Sequence, residues 1–481
     1  MQIFKNYING KYISFSTKTI SVISPYTEKE IAKIVDSNEK DVNEAVKAAK
    51  NAFRNWKNTT PKERSELFFK LAELIENNKE ELSRLESKNQ GKPISLARLD
   101  FEFAIDNLKF FASAVRNFQV VMPGTYIDKH FRKKHKALGT SILVREPVGV
   151  VASIVPWNYP FMIACWKLAA VAAGNTIILK PSSLTPLTAL KLAEFSEKAG
   201  FPSGVINIIL GSGENVGRIL ASHPEINMIS LTGNTETGKE IMRLASSNLK
   251  RVHLELGGKA PFIVFEDADL EKAAKYAVDS SIINSGQDCT AASRIYVQEK
   301  VYEKFISMVK SYAEKISIGD PSKDSTVLGP LISKNQTERV SWFLKNLEKD
   351  EKIVWQSKVP KKGYFFPITI IKNFSQKGNL CKLEVFGPII AIAKFKTTEE
   401  AIEKANDVDY GLASSIWTKN IEKAFLVANS LRFGEVWIND HLPLVSEMPH
   451  GGIKQSGYGS DLSIYSLQDY TYLKHIYVGF N

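Results

Sequence analysis

Residues 229–244 read ISLTGNTETGKEIMRL. An apolar run ends in a turn with glycines at 233 and 238, and a helix-like pattern follows. That is one strand–turn–helix unit. The turn is G-x-x-x-x-G-K, nearly the phosphate loop of a nucleotide triphosphatase. After Lys239 that loop needs a Ser or Thr hydroxyl for Mg²⁺, and this chain has Glu240, which would repel phosphate there. A damaged ATP site, a chance match and a different phosphate cradle all remain open at this point.

The same alternation extends on both sides. VGVVASIVP (148–156) reads as a buried strand, and FMIACWKLAAVAA (161–173) as a helix stopped by Gly174. NTIILKP (175–181) is a strand. SLTPLTALKLAEFSEKAG (183–200) is a helix with Thr185 as N-cap, Pro186 in the first turn and Gly200 as its stop. GVINIILG, ENVGRILASH and INMISL continue the series to residue 231. Repeated βα units predict a parallel, doubly wound sheet with its phosphate-binding turns along one edge. A second α/β series follows Glu255, so the break falls near ELGGKAP (255–261). The first ~120 residues are expected to be mostly helical and to pack on the first sheet. The stretch 122–142 and the tail YTYLKHIYVGF (470–480) fit neither series. The tail alternates like a strand and is expected to pair with another subunit, or else to cap its own sheet.

A chain of 481 residues, 44% hydrophobic and 24% charged, has the composition of a soluble protein of two or three domains. No apolar run reaches the ~20 residues of a membrane span. The N-terminus has no signal-peptide core, so a cytoplasmic location is expected. The three cysteines form no metal-type cluster and too small a set for a disulfide framework; no metal site is expected. The net charge of +11 is spread out, apart from HFRKKHK (130–136). Without a nucleic-acid motif that run reads as a solvated loop.

Cys289, in NSGQDCTAASR (284–294), is the strongest nucleophile candidate: a Gly/Asn/Ser-rich loop can expose its thiol. Most free cysteines are small buried hydrophobes, which is the reading for Cys165 inside its apolar helix. Glu255 ends an apolar strand in HLELGGKAPFIVF (253–265), where burial can raise its pKa and make it a general base. Asn158, in VPWNYP, can donate its NH₂ to an oxyanion, or simply build a turn. GSGENVG (211–217) has one residue too many for a dinucleotide fingerprint. FIVFEDAD (262–269) ends in acids, as a Mg²⁺-binding ATPase strand does.

Seven short motifs occur together: PWNYP, AAGNTIILKPSSLTP, LTGNTETGK, LELGGKAPFIVF, NSGQDCTA, EVFGPI and MPHGGIKQSGYG. In this order they resemble the NAD(P)-dependent aldehyde dehydrogenase family over nearly the whole chain. Within the family the chain is most similar to aminobutyraldehyde (aminoaldehyde) dehydrogenases. The resemblance implies an α/β fold: a Rossmann-type parallel-sheet cofactor domain (1–121 and 143–255), a second α/β catalytic domain (256–448), and a β oligomerisation arm (122–142 and 464–481). It also implies a homo-oligomer, tetramer or dimer, with an aldehyde as substrate and neither nucleic acid nor membrane as partner.

The resemblance assigns roles as well. Cys289 would attack the carbonyl, Asn158 and the Cys289 N–H would hold the oxyanion, and Glu255 would activate the hydrolytic water. Lys167 would be an electrostatic aid. Lys180 would reach the adenosine ribose, Gly233 and Asn234 the pyrophosphate, and Glu384 the nicotinamide ribose, with Phe386 beside that ring. Trp157, Gly211, Leu256 and Gly257 match further cofactor-lining positions. Many NAD-preferring members carry a Glu where this chain has Ser183. That Glu would repel a 2′-phosphate and Ser183 would not, so NAD or NADP is expected, with NADP accepted or even preferred. The spacing from Lys167 to Gly174 is one residue shorter than usual in the family. Succinic semialdehyde or a general aliphatic aldehyde is the alternative substrate. A P-loop-like ATPase, or a basic nucleic-acid-binding oligomer, would each explain one feature only.

Overall fold

The computed structural model describes residues 3–118, 124–128 and 137–480. The basic run 130–136 lies outside the described residues, as does part of the segment 122–142.

An eight-stranded sheet holds five parallel strands in the spatial order Arg251–Glu255, Met228–Thr232, Val150–Ile154, Thr176–Lys180 and Ile206–Ile208. The first of these in sequence, Val150–Ile154, sits in the middle, so the winding direction reverses between it and Met228–Thr232. At such a reversal the connections after neighbouring strands leave toward opposite faces, which opens a crevice at the strands' carboxyl ends. Val150–Ile154 and Thr176–Lys180 are buried almost throughout. Helices cover both faces, so these strands read as continuous apolar runs rather than alternating ones. Short antiparallel strands close the sheet: Gly457–Tyr458 at one edge, Asn6–Ile8 and Lys11–Ile13 at the other.

A seven-stranded sheet lies beyond Glu255. Its order is Lys352–Gln356, Thr369–Lys372, Ile389–Phe395, Ala292–Gln298, Ala260–Val264, Ala413–Trp417 and Glu435–Ile438, parallel except for the first pair. Only residues 256–259 separate the last parallel strand of one sheet from the first strand of the other.

Several local expectations change. Residues 3–35 are not helical: they form five short strands, and the helices begin at Glu39–Trp56. Strands of two to six residues are too short to show a period of two above the helical signal that follows. The helix Leu187–Ala199 stops at Gly200, whose φ of +99° suits a residue without a Cβ. Its N-cap position, however, is Pro186, and the buried Thr185 hydroxyl has no partner; Asn89 from another helix accepts from Leu187 N–H at 3.3 Å. ENVGRILASH is a π-turn, Gly213–Gly217, followed by a five-residue helix.

The tail does not await another subunit for its pairing. Thr471–Gly479 pairs antiparallel with Ala137–Pro147, which also pairs with Gly124–Asp128. The strand begins at Thr471, because Ser463–Asp469 is a helix with Ser463, Ser466 and Leu467 buried.

Candidate active site

The candidate residues of the first sheet cluster at its carboxyl ends. Trp157 and Asn158 follow Ile154, Lys180 ends its strand with Ser183 just after, and Gly211 follows Ile208. Gly233 and Asn234 follow Thr232, and Glu255 ends the fifth strand. The second sheet contributes from its amino ends: Gly257 precedes Ala260–Val264, Cys289 precedes Ala292–Gln298, and Glu384 and Phe386 precede Ile389–Phe395. One cleft receives both sets. Asn158 Nδ2 donates to Gln287 O at 3.1 Å, Trp157 and Phe386 rings meet edge to face at 5.3 Å, and Gly258 N–H donates to Glu384 Oε1 at 2.9 Å.

Cys289 hangs on a strained turn. Asn284, Ser285 and Gly286 all have positive φ, of 47°, 60° and 73°. Left-handed backbone at a non-glycine residue costs roughly 1–3 kcal/mol and needs support. Asn284 Nδ2 supplies it by donating to Asn158 O at 2.9 Å, as does Ser285 Oγ by donating to Gly329 O at 2.8 Å. Cys289 is half-buried, whereas Cys165 and Cys381 are buried. Burial pushes the Cys289 thiol up to about 12, and His450 is the largest opposing influence.

Glu255 is buried with both carboxylate oxygens unpartnered. Burial raises its pKa to about 8, against the pull of His450. A carboxyl poised there can take a proton from water near neutral pH.

Lys167 does not face the cleft directly. Its Nζ donates to Asp461 Oδ2 at 2.6 Å, with both side chains fully buried. Asp461 Oδ1 lies 3.5 Å from His253 Nε2. Burial would raise the Asp461 pKa, but Lys167 and His253 outweigh it and hold the carboxyl well below the usual range. Lys167 therefore reaches Glu255 through its field and its partner. Asp461, His253, His450 and Glu435 are members of the site that sequence reasoning missed. Lys167 and Asp461 stand 294 positions apart, and nothing local announces the pair.

The cofactor positions fit a dinucleotide. Lys180 is buried, its Nζ donates to Pro181 O at 3.2 Å, and burial lowers its pKa to about 8. Glu384 is raised to about 7 by burial. A Cβ on Gly257 would stand 2.6 Å from Glu384 Oε2, so backbone and carboxylate approach as only glycine permits. Gly211 is explained by the fold itself: its φ is +140°, and a Cβ would meet Val216 at 2.6 Å and Asp36 at 2.9 Å. Asn234 caps the helix Thr235–Ala245, accepting from Thr237 N–H at 2.8 Å. Its side chain is thus spent on its own helix, and the free first-turn N–H groups remain for an anion. Leu256 packs on Gly238, where a Cβ would lie 2.6 Å away. Ser183 is half-exposed in the turn after Lys180.

The phosphate-loop reading fails on the same helix. Lys239 pairs with Glu236 at 2.8 Å and Glu240 with Arg218 at 3.0 Å, both near the surface. The acids of FIVFEDAD are spent too: Asp267 accepts from Thr418, and Asp269 caps the next helix.

Residues 12–476 match the sequence profile of the aldehyde dehydrogenase family. The chain belongs to that family. It is an aldehyde dehydrogenase, an oxidoreductase acting on the aldehyde group. Betaine aldehyde dehydrogenase of Bacillus subtilis is 39% identical, over 98% of this chain and 96% of its own. Aldehyde dehydrogenase [NAD(P)+] 2 of Saccharomyces cerevisiae is also 39% identical, over 98% and 94%. The crystal structure of betaine aldehyde dehydrogenase from Staphylococcus aureus in complex with NAD+ superposes with a TM-score of 0.93 at 36% identity, covering 98% of this chain and 94% of that one. Among the described residues no helix of this dehydrogenase is long and apolar enough to cross a membrane.

Proposed function

We propose that this aldehyde dehydrogenase oxidises an aminoaldehyde, such as 4-aminobutyraldehyde, to its carboxylic acid through a thioester on Cys289, with NAD or NADP as cofactor. The observation that carries the substrate class is Asp288. Its half-exposed carboxylate stands next to the nucleophile, fixed by Tyr159 OH at 2.6 Å and by Thr290 N–H at 2.6 Å. A fixed anion beside the reacting carbon favours a cationic aldehyde. The relatives named for betaine aldehyde act on a cationic compound by that name.

The roles follow from the geometry. Cys289 Sγ bonds to the aldehyde carbon. The charge that develops on oxygen meets the Asn158 amide, which keeps one N–H beyond its bond to Gln287 O. A bound nicotinamide supplies the hydride acceptor. The acyl group then remains on Cys289, and Glu255 draws a proton from the water that releases it as the acid. Lys167, held by Asp461, stabilises charge around Glu255. Trp157, Lys180, Gly211, Gly233, Asn234, Leu256, Gly257, Glu384 and Phe386 line the dinucleotide's path. Ser183 leaves room for a 2′-phosphate, so NADP is accepted; Ser183→Glu should select against NADP and spare NAD. Residues 1–121 and 143–255 act as the cofactor domain and 256–448 as the catalytic domain. The antiparallel arm joins subunits in a dimer or tetramer, and three unpaired cysteines suit the reducing cytoplasm.

Steady-state kcat/KM for 4-aminobutyraldehyde, succinic semialdehyde and an aliphatic aldehyde tests the substrate. The aminoaldehyde should give the highest value, and a wide margin for succinic semialdehyde would end this reading.

A further inference from the structure

The turn that carries Cys289 is tied to a distant helix end. The helix Lys79–Gln90 closes at Gly91, whose φ is +83°. Its last residue, Gln90, is fully buried, and Nε2 donates to Asn284 Oδ1 at 3.1 Å across 194 positions of sequence. Asn284 Nδ2 donates in turn to two carbonyls, Asn158 O at 2.9 Å and Gln287 O at 3.3 Å. Gln287 O also accepts from the Asn158 side chain, whose Nδ2 lies at 3.1 Å. The Gln287 side chain closes the circle: its Nε2 donates to Asn284 O at 3.0 Å, and its Oε1 accepts from Ile332 N–H at 2.8 Å. Beside these bonds the backbones are clamped. A Cβ on Gly329 would collide with Gly91 O, and Gly329 O accepts from Ser285 Oγ at 2.8 Å. Helix end and turn are thereby held at a fixed separation.

The bonds run in one direction. Asn284 must turn its nitrogen to the Asn158 and Gln287 carbonyls, since an oxygen there would meet two acceptors. Its Oδ1 then faces Gln90, which must answer with its NH₂. We propose that Gln90 is a positioning residue for the acylation step: through Asn284 it aims the Asn158 amide, so that one N–H stays on Gln287 O and the other points at the aldehyde oxygen. The proposal rests on Asn158 being the oxyanion donor, as above. Gln90 acts only through Asn284.

Two observations separate this role from plain packing. Gln90 Oε1 is buried and has no partner among the described residues. A half-used amide is kept where an apolar side chain of the same size would fill the space without that cost. Asn284 itself sits in left-handed backbone, with φ of 47°, a conformation that lasts only where its surroundings impose it. Released from Gln90, the Asn284 amide can turn over and set Oδ1 against Asn158 O and Gln287 O. That repulsion shifts the carbonyl that aims the Asn158 amide. An oxyanion donor works because it is in place before the charge develops, so a misaimed one loses part of its effect.

The test is the single-turnover burst of reduced nicotinamide at saturating cofactor, with whichever of the three aldehydes above turns over fastest. It compares wild type, Gln90→Met, Asn158→Ala and the double variant. Gln90→Met keeps the length of the side chain and removes the donor. Its burst rate should fall about tenfold, a part of the roughly 10²–10³-fold loss expected when the Asn158 donor itself is removed. The aldehyde concentration giving half the maximal burst, the dinucleotide affinity by fluorescence titration and the melting temperature should stay at wild-type values. In the Asn158→Ala background Gln90→Met should change the rate by about twofold at most, because the donor it aims is gone. A wild-type burst in Gln90→Met, or a loss as large in the Asn158→Ala background as in wild type, would overturn the positioning role. Should Gln90→Met fail to fold, Gln90→Asn decides by the same rates, since it keeps an amide but falls one carbon short of Asn284. An unchanged burst in Asn158→Ala would sink the oxyanion assignment and the positioning role with it. A slowed Asn158→Ala beside an unaffected Gln90→Met would sink the positioning role alone.

Discussion

Among the described residues the Glu255 carboxyl has no hydrogen bond, and burial lifts its pKa to about 8. The base form is the carboxylate, so release of the acyl group should accelerate as pH rises through about 8 and level off above it. Single-turnover deacylation over a pH series checks this. Glu255→Gln should remove the dependence and slow the step by roughly 10²–10⁴-fold, the usual share of a general base. Asn158→Ala should lower kcat by roughly 10²–10³-fold, as expected for one oxyanion donor. Sequence reading found Cys289, Glu255 and Asn158 as separate weak signals, each with an ordinary structural explanation. Motif order joined them, since no local spacing relates residues 158, 255 and 289. The groups around them, His253, His450, Glu435 and Asp461, stayed invisible. Their importance comes from burial against one another across the chain, and a lone histidine or aspartate carries no pattern.

At the scale of elements, parallel strands of one sheet end where parallel strands of the other begin. Four residues, 256–259, make the crossing, where a Cβ on Gly258 would stand 2.1 Å from Cys289 O and one on Gly257 2.6 Å from Glu384 Oε2. Gly257→Ala should push its Cβ into Glu384, costing about 1–3 kcal/mol as other overpacking substitutions do. The cost should appear mainly as weaker dinucleotide binding, measured by fluorescence titration against melting temperature; unchanged affinity would show that the crossing tolerates a side chain. The βα series from residue 148 onward was legible because each unit carries an apolar strand, and the first two also carry a glycine stop, at Gly174 and Gly200. The strands of residues 3–35 were not, being only two to six residues long. The helix after Thr232 shows how a motif misleads. Gly238 is required by Leu256 rather than by a phosphate, and Lys239 turns back to Glu236.

Across the whole molecule, the arm is the part least able to stand alone. Thr471–Gly479 is an edge strand in the spatial order of its sheet, fastened inward by Tyr472 OH on Glu146 at 2.6 Å. Leu473, Ile476, Tyr477 and Val478 are exposed along it. A long apolar edge of this kind calls for a covering partner. Deleting residues 471–480 should lower the mass of the particle seen by light scattering, and an unchanged mass would remove the arm from the assembly. The tail's alternation was legible in sequence; its partner, Ala137–Pro147, was not, because more than 300 residues separate the two strands. The proposed chemistry requires the acyl group to rest on Cys289. Glu255→Gln protein mixed with NAD or NADP and 4-aminobutyraldehyde should yield one burst of reduced nicotinamide absorbance. Its intact mass should rise by one acyl group, located on the peptide that contains Cys289. Reduced nicotinamide formed without that adduct, or formed equally well by Cys289→Ala, would contradict the account.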